Sequence, residues 1–201
     1  NNTIIGNPEL DRPGGIAILA GSITRAEISG NEIRDNQYGV SVNGLAYTRI
    51  TGNIIENNNT GGNPMTGGSG INILGNGDMG HVILDNQIRG NLWGVTTQGN
   101  GKVNLGDLSD AEVGPGGNVF SNNENGGVVY AFYNNTPNDA MAQGNCWIEE
   151  NPDATEEEVA AVIVEQTDDE TLGVVDYSNF TCSFLDAFDC PDLEANVGDA
   201  C

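Results

Sequence analysis

Lysine and arginine are scarce in this chain. Six of them stand against 29 aspartates and glutamates in 201 residues, a net charge of −23, and none follows Lys102. A surface this acidic repels nucleic acid and anionic membranes and holds acidic polysaccharides poorly without metal ions, so neither nucleic-acid binding nor membrane insertion is expected. His81 is the one histidine and no Cys-x-x-Cys spacing occurs, which argues against zinc. No Asp-x-Asp-x-Asp-Gly loop is present, so no calcium site stands out. The expectation is no cofactor, Ca2+ being the one ion that suits a chain so rich in hard oxygen ligands. Met65, Met79 and Met141 are scattered, without copper-site spacing. Thr48, Thr51, Thr96 and Thr97 do not recur as a file, which excludes the flat threonine array of an ice-binding solenoid. Neither an initiator methionine nor a signal peptide opens the chain, so Asn1 reads as a cut or processed edge.

What the chain has is a repeat. Six times an asparagine is followed two residues later by a large apolar residue: Asn2 with Ile4, Asn31 with Ile33, Asn53 with Ile55, Asn86 with Ile88, Asn118 with Phe120 and Asn145 with Trp147. In all but the last a second asparagine closes the phrase, at Asn7, Asn36, Asn58, Asn91 and Asn123. Most copies are followed by glycine and a β-branched residue: Gly15-Ile16, Gly39-Val40, Gly70-Ile71, Gly94-Val95 and Gly127-Val128. Returning spacing with the same apolar and turn residues marks a stacked, quasi-one-dimensional architecture over residues 1–150.

Within each copy apolar and polar residues alternate, as in Ile16-Ala-Ile18, Val40-Ser-Val42 and Ile71-Asn-Ile73. Period two over short runs bounded by Gly and Asn predicts strands. Each copy supplies too few strands to bury an apolar face alone, so the copies must stack as parallel neighbours about 4.8 Å apart. Ile4, Ile33, Ile55, Ile88, Phe120 and Trp147 would then form one interior file. Asparagine tolerates left-handed backbone angles and satisfies loose backbone groups, and recurrent amides hydrogen-bond along a stack. Two ladders are expected: Asn2, Asn31, Asn53, Asn86, Asn118 and Asn145, and Asn7, Asn36, Asn58, Asn91 and Asn123. Disorder would not keep apolar residues in phase.

The phrase Ile28-Ser-Gly-Asn31-Glu-Ile33, followed by Asn36-Gln-Tyr-Gly39-Val40-Ser-Val, resembles the right-handed parallel β-helix repeat of pectate-lyase-like proteins. The stretch from Asn145 through Ser178 is similar to the closing segment of secreted bacterial β-helix proteins. Together these resemblances cover about 180 residues. They imply an all-β fold, a right-handed parallel β-helix (solenoid) of about five to six coils with a C-terminal capping helix. They do not imply one activity, because this fold carries lyases, hydrolases, adhesins and inert stalks.

The coils are uneven. Insertions at 8–14 and 59–69 leave the same corner, and a third, within 103–117, leaves elsewhere with Asp107, Asp110 and Glu112. Insertions on one face of a solenoid are commonly its binding side. Residues 153–166 break the β pattern. Thr155 with Glu158 forms a capping box, and Val159, Val162 and Ile163 give a helical stripe. An open solenoid end exposes strand edges and core that must be covered, so 151–182 reads as a capping helix and closing strand. Asp168-Asp169-Glu170 reads as a solvated turn. The even cysteine count, in a chain of extracellular character, predicts disulfides. Cys146 lies beside interior Trp147 and Cys182 follows the closing strand, so Cys146–Cys182 would staple the two, leaving Cys190–Cys201. Residues 183–201 are similar to the opening of short Cys-rich linker repeats in very large secreted proteins of Bacteroidetes-type bacteria, which implies that the chain continues beyond Cys201.

No catalytic residue is assigned. Gly80-His81-Val82 is faintly similar to the Gly-His-Gly of β-helix polygalacturonases, but the paired aspartates that inverting hydrolysis needs are missing, and a surface histidine is expected. Arg34 and Arg89 share a coil position beside acidic residues and read as an exposed ion-pair stripe. The expectation is a non-enzymatic structural or adhesive module of a larger secreted or cell-surface protein. Its partners would be other modules of the same chain, a second copy, or a cell-surface or carbohydrate ligand. A β-helix polysaccharide lyase or glycoside hydrolase is the alternative.

Overall fold

A computed structural model describes residues 1–11, 13–63, 67–75 and 78–183. Among the described residues the named strands pair in parallel, apart from one short hairpin, and build three files of stacked strands. The first file holds Thr3–Ile5, Glu32–Arg34, Ile54–Glu56, Gln87–Arg89 and Val119–Ser121 in chain order, and a bridge from Val119 to Cys146 continues it. Its strands are only three residues long because an asparagine phrase bounds each at both ends. The central residue of each points inward, in the register Ile4, Ile33, Ile55, Ile88, Phe120. The Phe120 ring stacks on Trp147 at 4.9 Å.

The second and third files belong to one large curled sheet joined through two long strands, Ile16–Ser29 and Val40–Thr51. The first part of Val40–Thr51 pairs with Ser69–Gly75, and Trp93–Gly99, Phe132–Asn135 and Ile163–Val164 follow. Its last part pairs with Gly80–Leu84, followed by Lys102–Gly106, Ala140–Ala142 and Val175–Asp176. Alternation sends Val40, Val42, Ala46 and Ile50 inward, and one continuous core joins them to the first file. A large curled parallel sheet of this kind is compatible with a β-solenoid.

Three details differ from the sequence expectations. The helix spans only Glu156–Ala160, with the capping box of Thr155 and Glu158 present. Ile163 and Val164 pair instead with Phe132 and Tyr133, because a β-branched run beside an open strand edge gains more from the ladder than from another helical turn. Gly127-Val128 is not the equivalent of Gly94-Val95. Val128 and Val129 form an exposed hairpin with Glu124–Asn125, and Phe132 takes the position beside Val95. The ladder asparagines, finally, are not themselves left-handed. The residue before each one from Asn31 onward is: Gly30, Gly52, Asp85, Gly117 and Gly144 in one ladder, Asp35, Asn57, Gly90 and Asn122 in the other. Only Gly, Asn and Asp fill these positions, the residues that reach positive φ at least cost. The bend and the amide are thus supplied by adjacent residues.

Candidate functional surfaces

The first ladder runs unbroken through Asn2, Asn31, Asn53, Asn86, Asn118 and Asn145. At each step the backbone N–H and Nδ2 of one asparagine both donate to Oδ1 of the next, at 2.9–3.1 Å. From Asn53 onward Nδ2 also reaches a main-chain carbonyl of an earlier strand, at Ile28, Ile50, Ile83 and Leu105 in turn. The second ladder repeats the pattern through Asn36, Asn58, Asn91 and Asn123. Asn7 stands outside it. It is exposed, and its Oδ1 accepts from Glu9 N–H at 3.0 Å, because the insertion beginning at Pro8 turns the amide into a local turn.

A disulfide joins Cys146 to Cys182, with Cα atoms 4.6 Å apart. It ties the end of the first file to the segment after Val175–Asp176. Cys190 and Cys201, and the linker-like segment, lie outside the described residues. The Asp168–Glu170 run is a hydrogen-bonded turn in which Asp168 accepts from Glu165 N–H and Asp169 from Thr171. Among the described residues no cluster of three or more His, Cys, Asp or Glu could hold a metal, and no helix is long and apolar enough to cross a membrane.

The cations among the described residues fall into two sets. Arg34 pairs with Glu32 and Asp35 at 2.6 Å, and Arg89 grips Glu149 through Nε and Nη2 at 2.6 and 2.7 Å, with Glu56 at 3.4 Å. These pairs line the outside of the first file. Arg25, Arg49 and Lys102 meet on the outside of the third file, in a shallow groove of about 620 Å3 that also holds Glu27 and Tyr47. Arg25 lies over the Tyr47 ring at 4.8 Å, and Lys102 is bound to Asp78 at 2.8 Å.

His81 is not a surface residue. Register sets it between Thr48 and Val103 on the inward side, it is 1% exposed, and its Nδ1 meets Thr48 Oγ1 at 2.9 Å. Burial pushes the imidazole down to about 4. Between about pH 6.5 and 4 the unfolded chain therefore binds a proton that the folded chain does not, so stability falls as pH drops through that window. The penalty is on the order of 3 kcal/mol when complete. Urea midpoints of the protein and of His81→Gln, measured from pH 7 to 4.5, are expected to diverge, the variant having the flatter profile. Parallel profiles would place the titration elsewhere.

A second groove, of about 720 Å3, lies outside the second file. Its floor is a row across four strands, Ser41, Asn72, Thr96 and Tyr133. Thr96 Oγ1 and Gln98 Nε2 both donate to Asn72 Oδ1, at 2.9 and 3.1 Å. Tyr38, Trp93 and Tyr130 form its walls. Tyr38 and Trp93 stand at one offset, two residues after Asn36 and Asn91 and directly before Gly39 and Gly94, whereas the Glu124–Val129 hairpin displaces Tyr130 to seven residues after Asn123. That shared offset, and the outward positions of the Val40-Ser-Val42 and Ile71-Asn-Ile73 alternation, were the available signals. Compared with known proteins, the chain matches no family model, no curated protein and no solved structure.

Proposed function

We propose that the chain is a non-enzymatic module of a larger secreted or cell-surface protein, a rigid spacer that presents a contact surface. In this reading it is a right-handed parallel β-helix of five to six coils of the pectate-lyase-like kind. The helix Glu156–Ala160 covers its C-terminal end by burying Val159, and other modules of the same chain adjoin it. The observation that carries the reading is the first ladder, whose six asparagines bond end to end in one line. Such a line resists bending because any coil that tilts breaks several buried hydrogen bonds at once. The Cys146–Cys182 bond, of a type that persists in oxidising compartments, supports an extracellular setting.

One observation favours the alternative, a polysaccharide lyase or hydrolase: the third-file groove gathers Arg25, Arg49 and Lys102 with Glu27, and Asp78 beside Lys102. A base for β-elimination must face the substrate. In this groove Lys102 is bound to Asp78, Arg25 is stacked, and His81 is turned inward. The module is expected to release no ultraviolet-absorbing unsaturated product from pectate or alginate, with or without Ca2+. Release that Lys102→Ala or Arg49→Ala abolishes would replace the spacer reading with the enzyme.

A further inference from the structure

We infer that the second-file groove is a binding site for an uncharged oligosaccharide, a step that rests on reading the module as a contact surface. Aromatic residues are few in this chain, yet four of its seven Tyr and Trp residues, Tyr38, Trp93, Tyr130 and Tyr133, line this one groove. Each is half-buried, so each keeps part of its ring at the surface. Tyr130 and Tyr133 stand edge to face at 6.0 Å. Aromatic side chains exposed in concert lose little entropy on binding, and their apolar faces with polar tips suit a ligand that is apolar on one side and hydroxylated on its edge.

The polar lining narrows the ligand class. Among the described residues no Asp, Glu, Lys, Arg or His lines the groove, on a chain of net charge −23. The lining offers amides and hydroxyls instead, from Asn72, Gln98, Asn135, Ser41 and Thr96. Each of these can both donate and accept, so the matching ligand must also do both at closely spaced points, as vicinal sugar hydroxyls do. A proline-rich peptide, the other occupant of aromatic grooves, offers main-chain acceptors but few donors, and would offer little to the Gln98 and Asn135 carbonyls. An anionic glycan would meet the repulsive field of the surrounding acids.

The frame is ready-made. Hydrogen bonds from Thr96 and Gln98 fix the Asn72 carbonyl, and Ser69 Oγ sits 2.9 Å from Thr96 Oγ1. The four-strand row spans three interstrand steps, about 14 Å, enough for several sugar rings lying along the stacking direction. The insertion corner builds the walls. Tyr38 packs against Gly14, where a Cβ would stand 2.4 Å from the phenolic oxygen, and Gly68 N–H bonds to Gln37 O. The hairpin from Glu124 to Val129 brings Asn125 and Tyr130 to the far side.

The test is titration of the full chain with linear hexaoses of glucose, mannose and xylose, with oligogalacturonate, and with a proline-rich decapeptide, followed by tryptophan fluorescence. Trp147 is 2% exposed, so Trp93 is the responsive reporter. Saturable binding of at least one neutral hexaose is expected, with affinity lowered about tenfold or more by Trp93→Ala and by Tyr133→Ala, followed calorimetrically, at unchanged melting temperature. Asn135→Ala and Gln98→Ala, at exposed positions, keep the test open if either aromatic variant unfolds. Binding of no neutral hexaose, binding indifferent to these variants, or preference for the decapeptide or the oligogalacturonate would each overturn the assignment, and none of these would disturb the spacer reading. Cleavage of the bound hexaose, detected by mass spectrometry, would support the groove while overturning the non-enzymatic reading.

Discussion

Replacing Asn86 by alanine is expected to cost on the order of 3 kcal/mol in urea unfolding, far more than one surface amide contributes. Asn86 is fully buried. Its Oδ1 takes two donors from Asn53, the backbone N–H at 3.0 Å and Nδ2 at 2.9 Å. Its Nδ2 serves Ile50 O, Leu84 O and Asn118 Oδ1. Alanine leaves the Asn53 N–H in a water-free site with no acceptor, and each group so stranded costs about 1–3 kcal/mol. Asn7→Ala, at the exposed start of the chain, is expected to stay within about half a kcal/mol. Asn86→Asp gives the sharper contrast. A carboxylate there still accepts from Asn53 but faces three oxygens with nothing to donate. Burial and those oxygens raise its pKa in the folded state, so the variant is expected to recover stability relative to the parent as pH falls and the carboxyl regains a proton. A loss under about 1 kcal/mol for Asn86→Ala would mean that water replaces the amide and that the ladder is not what holds the coils in line.

That ladder was legible because its chemistry repeats as letters. An amide that must meet the same amide one coil away leaves asparagine at every step, and the interior file from Ile33 to Trp147 is legible for the same reason. Where a local interaction competes with the stack, the letters mislead. Asn7 carries the right residue at the right spacing, but Pro8 opens an insertion and the amide caps it instead. Gly127-Val128 carries the right phrase, but two consecutive left-handed glycines, Gly126 and Gly127, close a hairpin, and the file resumes at Phe132. The inward turn of His81 follows from alternation, since it lies two residues before buried Ile83 as Thr48 lies two before buried Ile50, a signal that the likeness of Gly80-His81-Val82 to a catalytic phrase obscured.

The two grooves were less legible than the core for a related reason. Outward side chains need not match from coil to coil, since nothing packs on them but ligand or solvent. Tyr38 and Trp93 share a repeat position, but Tyr130 and Tyr133 join them only once the strands are in register, as do Arg25, Arg49 and Lys102. Charge separates the two surfaces. The third file holds much of the chain's scarce positive charge, whereas the second-file groove holds none of either sign. A repeat that is strict inside and free outside can change its surface without changing its frame.

The strictness of the inside is measured by two adjacent residues. Ile54 and Ile55 occupy one three-residue strand and face opposite ways, Ile54 37% exposed and Ile55 not at all. Ile55 lies in register between Ile33 and Ile88, and its Cγ2 closes on the Gly39 backbone of the second file, so its loss opens a void that neither neighbour can fill. Ile55→Ala is expected to destabilise the fold by about 2–5 kcal/mol, the transfer free energy of the lost methyl groups plus the cavity they leave. Ile54→Ala is expected to lose roughly half a kcal/mol. Because each strand of the first file pairs only with the strands on either side of it, the damage should be local. Amide hydrogen exchange in Ile55→Ala is expected to quicken in Glu32–Arg34 and Gln87–Arg89, the strands on either side, before it quickens in Val175–Asp176 at the far end. Equal costs for the two alanines would mean that this strand does not alternate in and out, and with it the register that forms both ladders and both grooves would have to be redrawn.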